Sequence, residues 1–157
     1  LLKKENIPVI IQPAGRSTLS SNSPANDWDP YDTTFALPHL LAKAGVKFAF
    51  MSEDNSGSFN LPVRVGQSCA YGLSPEDAIK ALTLWSAEIL GVGDRLGSVQ
   101  PGKPGNLVIT GGGPFERPTS IGGVFVGGRP VALESKFTRL RDQYMKRLSS
   151  YEKSWLP

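Results

Sequence analysis

The sequence predicts an α/β fold in which parallel strands alternate with helices. A continuous apolar run, IPVIIQ at residues 7–12, is typical of a strand buried on both faces of a parallel sheet. A helical pattern over residues 33–44 follows, and a second strand-like run, VKFAFM, occupies residues 46–51. Residues 7–51 therefore form a βαβ unit, and such crossover connections build parallel sheets.

The composition is that of an ordinary globular chain. Its 157 residues are 39% hydrophobic and 20% charged, which is enough for one core of domain size. Cys69 is the only cysteine, which excludes an intrachain disulfide. No apolar run approaches the ~20 residues that a membrane span needs. The sequence leaves the compartment open.

The elements around the βαβ unit follow from local signals. Residues 1–6, LLKKEN, are predicted to be the last turn of a helix, so the chain is expected to begin within a fold. A long polar loop over residues 13–31 is either mobile or functional. Asp32 is suited to cap the next helix, although Pro38 could move the start of that helix closer to itself.

Two further helices and a β-rich unit are predicted next. The first helix spans residues 60–71 and ends at Gly72. The second opens at SPED, with Ser74 as N-cap and Pro75 at its first position, and continues to Gly91. After Asp94 short apolar runs alternate with Gly and Pro, and the pair at residues 127–128 predicts a tight hairpin.

The tail predicts an amphipathic helix whose charge is mostly positive. Its apolar residues recur every three or four positions: Phe137, Leu140, Tyr144, Leu148 and Tyr151. A solvated helix face is favoured over binding to nucleic acid or to an anionic surface. We therefore expect no nucleic-acid partner.

These motifs together resemble the C-terminal end of the metal-dependent amidohydrolase superfamily, in its imidazolonepropionase- and prolidase-like branch. The resemblance rests on YGLSPEDAIKALTLWSAEILGVGDRLGSVQPGKPGNLVI at residues 71–109, followed by GGVFVGGRPV. It extends back to GVKFAFMSEDNSGS and covers residues 45–131. The sequence departs from the family pattern at residues 85–87, Trp-Ser-Ala for Asn-Pro-Ala, and at Asn106, which replaces an Asp.

The resemblance implies a fragment of a (β/α)8 barrel, because members of the family carry such a barrel with a small β-sandwich. A complete barrel needs about 250 residues. Residues 1–93 would be the last two βα units, with strands seven and eight at 7–12 and 46–51. Residues 94–132 would be the C-terminal part of the sandwich, and 133–157 an added helix.

The resemblance also implies a site at the carboxyl ends of the strands. Strand eight of the family ends in an aspartate that ligates a divalent metal and accepts a proton from the attacking water. Asp54 is the candidate for that catalytic and metal-binding role. Glu53 is the alternative, because it stands where the family has Ser or Thr and would face inward without a one-residue offset. A solvated acidic loop stays open as a third interpretation.

The other family ligands are histidines, and sometimes a carboxylated lysine, on strands that this segment lacks. His39 lies within a predicted helix and is expected to pack or face solvent. The intact enzyme would thus use a divalent metal of the zinc type, while this segment alone is expected to bind none. In the long loop, Trp28, Tyr31 and Asp29 are candidate substrate contacts, with a plain polar turn series as the alternative.

The predicted function is part of an enzyme that hydrolyses C–N bonds in small amide, cyclic amide or peptide-like substrates. The segment alone is expected to be inactive. The alternatives are a non-catalytic amidohydrolase-like scaffold and a partner-binding module. The expected partners are the remainder of the barrel or an equivalent chain, including another copy of itself, since half a sandwich exposes apolar edges.

Overall fold

The fold is α/β and carries one parallel and one antiparallel sheet. The computed structural model describes residues 1–13, 32–52, 55–116 and 119–154. In chain order the elements are β1 (Val9–Ile11), α1 (Thr33–Lys43), β2 (Phe48–Phe50), α2 (Asn55–Ala70), α3 (Pro75–Leu82), α4 (Leu84–Ile89), β3 (Leu107–Thr110), β4 (Ile121–Val126), β5 (Arg129–Val131) and α5 (Lys136–Ser154).

Strands β1 and β2 lie side by side in parallel, which confirms the predicted βαβ unit. Val9 is opposite Phe48 and Ile11 is opposite Phe50. The Val9 amide donates to the Lys47 carbonyl at 3.1 Å, and the Met51 amide donates to the Ile11 carbonyl at 2.9 Å. Helix α1 makes the crossover between the two strands. Both strands are shorter than the apolar runs that predicted them.

The core is centred on Phe48, which is fully buried. Its ring meets Phe50 edge-on at 5.4 Å between centroids and Trp85 at 5.5 Å. Such edge-to-face pairs add to the stabilisation that burial of the rings provides. Around Phe48 lie buried residues of α2, of α3 and of the connection between them, namely Val65, Ala78, Ala81 and Leu73. One face of the parallel pair is thereby covered by helices.

Several helices end in the same cap before the chain turns into the next element. The amide two positions beyond the helix bonds back to the carbonyl five residues earlier, as in the Schellman motif. Val46 bonds in this way to Leu41, and Ile7 to Leu2, at 2.9 Å each. The capping residues Gly45 and Asn6 have positive φ angles of 69° and 50°. The arrangement at Asn6 confirms that residues 1–6 form a terminal helical turn.

Helix α1 begins where the sequence predicts, whereas helix α2 begins earlier. Helix α1 starts at Thr33 and contains Pro38, whose buried ring offsets the backbone hydrogen bond that proline cannot donate. Asp32 occupies the N-cap position but makes no side-chain cap bond. Helix α2 starts at Asn55 rather than at residue 60, so the segment NSGSF is helical although its composition is typical of loops.

The single helix predicted after Ser74 is wrong, because the structure has two. Its start is confirmed: the Ser74 hydroxyl accepts from the Asp77 amide at 3.0 Å. The break falls at Thr83, whose φ of −126° and ψ of −84° are not helical. Gly97 packs into this break so closely that a Cβ there would lie 2.8 Å from the Thr83 carbonyl oxygen. The neighbouring loop and the helix break therefore fit each other.

Strands β3, β4 and β5 form an antiparallel sheet in that order. Gly127 and Gly128 connect β4 to β5 with φ angles of 57° and 77°, which confirms the predicted tight hairpin. The Asn106 Oδ1 atom accepts from the Gly127 amide at 2.8 Å and so ties the turn to the start of β3. An aspartate carboxylate has the same acceptor, which explains why Asn substitutes there for the Asp of the family pattern.

The loop after β3 joins this sheet to the helical layer. Phe115 packs against the core cluster around Phe48. Its carbonyl oxygen lies so close to α2 that a Cβ on Gly66 would be only 2.7 Å away. The glycine-rich stretch TGGGPFE is therefore a packing loop.

Replacing Phe48 by Ala should lower the free energy of unfolding by about 3–5 kcal/mol, because the cavity would open at the centre of the core. Urea denaturation followed by circular dichroism measures this loss. Phe59→Ala is the matched control, since Phe59 is 83% exposed and its loss should cost well under about 1 kcal/mol. Equal losses for the two variants would contradict the described core.

Asn106→Ala should destabilise the chain by about 1 kcal/mol through loss of the acceptor for the Gly127 amide. Asn106→Asp keeps an acceptor oxygen at that place and should stay close to the parent. The same urea titration distinguishes the two variants. An Asp variant as unstable as the Ala variant would show that the side chain acts in another way.

Candidate functional site at the carboxyl edge of the parallel pair

The carboxyl ends of β1 and β2 lie at one edge of the sheet, since the strands are parallel. The hydrogen bond from the Met51 amide to the Ile11 carbonyl is the last described rung at that edge. Pro13 is buried next to it and Ser52 is half-buried. In α/β barrels and open parallel sheets, functional groups gather at this edge.

The two faces of β2 differ in what they meet. Phe48 and Phe50 contact each other and point to the helical layer. Side chains alternate along a strand, so Ala49 and Met51 point to the opposite face. On β1, Val9 and Ile11 pack against the core cluster, whereas Ile10 is 52% exposed. The face opposite the helices is thus apolar, and it carries the exposed side chain of Ile10.

The predicted site residues fall outside the described part of the chain. These are Asp54 and Glu53, which come directly after Ser52, and Trp28, Asp29 and Tyr31 in the long loop. Their assignment therefore stays a prediction. The described residues fix only the edge of the sheet from which both segments depart.

His39 lies away from that edge. It stands on α1 next to Gly72 and lines an open groove of about 430 Å³ together with Lys43, Ser74 and Asp77. Helix α1 ends at Lys43, just before β2 begins, so this groove lies towards the amino ends of the strands. His39 is accordingly a helix-surface residue, in line with the sequence prediction.

The described residues contain no group of three or more His, Cys, Asp or Glu side chains that could hold a metal ion. Cys69 is partly buried in α2, where it packs against the core cluster, and burial raises the pKa of its thiol. Cys69 therefore packs as a small hydrophobic residue. Ser68 is not among the residues singled out from the sequence. Its buried hydroxyl has no hydrogen-bond partner among the described residues. No sequence motif marks it.

The family model described as the amidohydrolase family matches residues 8–137. This match spans the parallel pair, the helical layer and the antiparallel sheet. The chain belongs to the amidohydrolase family. Residues 45–131, on which the family resemblance rests, lie within the matched region.

Curated relatives of this amidohydrolase chain are named imidazolonepropionase. The Porphyromonas gingivalis protein is 35% identical over 79 residues, which cover 48% of this chain and 19% of that protein. The Bacteroides thetaiotaomicron protein is 38% identical over 87 residues, covering 49% and 21% respectively. The chain therefore spans about a fifth of the length of the curated relatives it matches.

Solved structures of amidohydrolases superpose on this chain. A crystal structure of an amidohydrolase from Thermotoga maritima superposes with a TM-score of 0.65 at 29% identity, covering 83% of this chain and 33% of that one. A second amidohydrolase crystal structure gives a TM-score of 0.60 at 22% identity and covers 85% of this chain. The α/β arrangement described above is thus an amidohydrolase arrangement.

Alkylation of Cys69 should be several-fold slower in the folded chain than in urea at a pH just below the ordinary thiol pKa. The raised pKa leaves a smaller fraction as the reactive thiolate, and each unit of pKa lowers that fraction about tenfold. Because the chain has one cysteine, mass spectrometry after iodoacetamide treatment reports on this site alone. Faster reaction in the folded state would contradict a buried, unactivated thiol.

Proposed function

We propose that the chain is the closing part of a (β/α)8 barrel in a longer amidohydrolase that hydrolyses C–N bonds. The observation that carries the proposal is the parallel pair: β1 and β2 end at one edge, and the acidic Glu53-Asp54 pair follows β2 there. Membership of the amidohydrolase family and relatives named imidazolonepropionase support a small amide or cyclic amide as substrate. β1 and β2 would be strands seven and eight.

The alternation of side chains along β2 supports Glu53 over Asp54 as the inward-facing carboxylate. Phe48 and Phe50 face the helices, so positions 49 and 51 face the barrel interior. An extended chain beyond Phe50 would bring position 53 to the same side as Met51. We assign Glu53 the role of accepting a proton from the attacking water, with Asp54 beside it as the alternative. A carboxylate suits this role when it lies within hydrogen-bond reach of the water.

The long loop after β1 leaves from the same edge and would lie over the mouth of the barrel. Trp28 and Tyr31 would contact the substrate, and Asp29 would recognise a cationic group on it. A loop of this length is often functional. Its position in the chain, directly after a barrel strand, supports this assignment.

The family resemblance implies a divalent metal of the zinc type, which would lower the pKa of a bound water to about 7. The described residues do not fit such an ion by themselves, because they hold no cluster of ligands. A metal site needs several converging ligands, so most of them would come from elsewhere in the longer protein. The 157-residue chain alone is therefore proposed to be inactive and to bind no catalytic metal.

The partner of this chain is proposed to be the rest of the barrel and sandwich. The antiparallel sheet exposes apolar side chains on both faces, Ile109 on one and Val108 and Val126 on the other. An apolar sheet face is stable when another layer covers it. A second copy of the chain would serve as a substitute when the remainder is absent.

Glu53→Gln in the longer protein should lower kcat by about a hundredfold or more, because the proton acceptor is lost. Asp54→Asn is the matched control, an equivalent change at the neighbouring residue, and it should change kcat less than about threefold. Hydrolysis of a panel of cyclic amides, including imidazolonepropionate, and of dipeptides measures both variants. A large loss only in Asp54→Asn would move the catalytic role to Asp54.

Full activity in both variants would contradict a catalytic role for either Glu53 or Asp54. A longer protein that hydrolyses nothing in the panel, with or without added zinc, would instead favour the non-catalytic scaffold. Amide hydrolysis by the purified 157-residue chain would refute its proposed inactivity.

A further inference from the structure

Helix α5 begins with a cap of its own. The Ser135 hydroxyl accepts from the Thr138 amide at 3.1 Å, and the Thr138 hydroxyl accepts from the Ser135 amide at 2.8 Å. This reciprocal pair is a capping box with Thr at its third helical position. Nearly all of α5 lies beyond residue 137, where the match to the amidohydrolase family ends. The helix is thus specified locally and added to the family fold.

Five apolar side chains of α5 form one narrow stripe, of which four are exposed and Leu140 is half-buried. The stripe consists of Phe137, Leu140, Tyr144, Leu148 and Tyr151, which fall within an arc of about 80° at 3.6 residues per turn. Phe137 is 77% exposed and Leu148 is 53% exposed. Most of the stability of helices in proteins comes from packing of an amphipathic face.

Cations flank the stripe. Arg141 and Arg147 stand at its two edges, and the Arg147 guanidinium lies 5.6 Å from the Tyr144 ring centroid. Residues 136–149 contain five Lys or Arg and one Asp, a net charge of +4. Long basic side chains can lay their stems along an apolar surface while the charged ends reach outwards. The apolar stripe and the cations on its two sides therefore complement a surface whose interior is apolar and whose outer layer carries negative charge.

The periodicity argues against a coiled coil with a second copy. Phe137, Leu140 and Tyr144 follow heptad spacing, but the next seam position is Arg147, and the apolar residue shifts to Leu148. A coiled coil needs apolar residues every 3.5 residues on average, and a cation in the seam weakens it. The stripe keeps the 3.6-residue period of a straight helix, which suits a flat surface.

We propose that α5 binds parallel to the surface of an anionic lipid bilayer, with the stripe in the boundary between headgroups and acyl chains. Basic amphipathic helices bind in this way through apolar burial and attraction to anionic lipids. No helix in the described residues is long and apolar enough to cross a membrane. The site would hold the amidohydrolase at the surface.

The test is co-sedimentation of the 157-residue chain with vesicles of phosphatidylcholine, with and without phosphatidylglycerol. Binding to the anionic vesicles should be at least about tenfold tighter and should weaken as salt is added. Leu148→Ser should weaken it about tenfold or more through loss of buried apolar area. Met145→Ser is the matched control, because Met145 is 58% exposed on the same helix but lies off the stripe, and should stay within about twofold.

A double variant, Arg141→Gln with Arg147→Gln, tests the charge separately and should also bind at least about tenfold more weakly. Far-UV circular dichroism of each variant verifies that the fold is retained. The proposal is overturned by equal binding to both kinds of vesicle, by absence of binding, or by equal effects of Leu148→Ser and Met145→Ser. It is also overturned if size exclusion shows an oligomer that Leu148→Ser dissociates while vesicles fail to bind the chain.

Discussion

The packing of Phe48 against Phe50 and Trp85 is the interaction on which the described fold depends. This packing turns Phe48 and Phe50 towards the helices. Because side chains alternate along a strand, Ala49 and Met51 then point to the opposite face. Trp85 comes from α4, beyond a helix break that Gly97 fills, so the same contact orders the loop towards β3. Phe115 then joins the antiparallel sheet to this core. One aromatic cluster thereby couples strands, helices and sheet.

The parallel pair was predictable because its signals are local and strong. An apolar run, a helical stretch and a second apolar run within residues 7–51 leave few alternatives to a βαβ crossover. The Gly127-Gly128 hairpin and the Ser74 cap were predictable for the same reason. The helix break at Thr83 was not predictable, because it accompanies a tertiary contact with Gly97 that the hydrophobic periodicity of the sequence does not reveal.

The candidate site was predictable only to its edge of the sheet. Parallel strands carry their carboxyl ends together, so Glu53-Asp54 and the loop with Trp28 must follow the same edge. The contact between Phe48 and Phe50 establishes the side-chain parity of β2 itself, whereas Glu53 and Asp54 lie outside the described residues, so their roles stay a proposal. The described residues contain no group of three or more His, Cys, Asp or Glu side chains that could hold a metal ion.

We propose that β1 and β2 pair on their outer edges with strands of a longer protein. In a parallel pair alternate amides face opposite sides, so Ile10, Phe48 and Phe50 point their amides away from the partner strand. Residue-resolved hydrogen exchange in the 157-residue chain and in the longer protein tests this directly. We expect these three amides to exchange at least about a hundredfold more slowly in the longer protein. Equal exchange in both would contradict closure of a barrel.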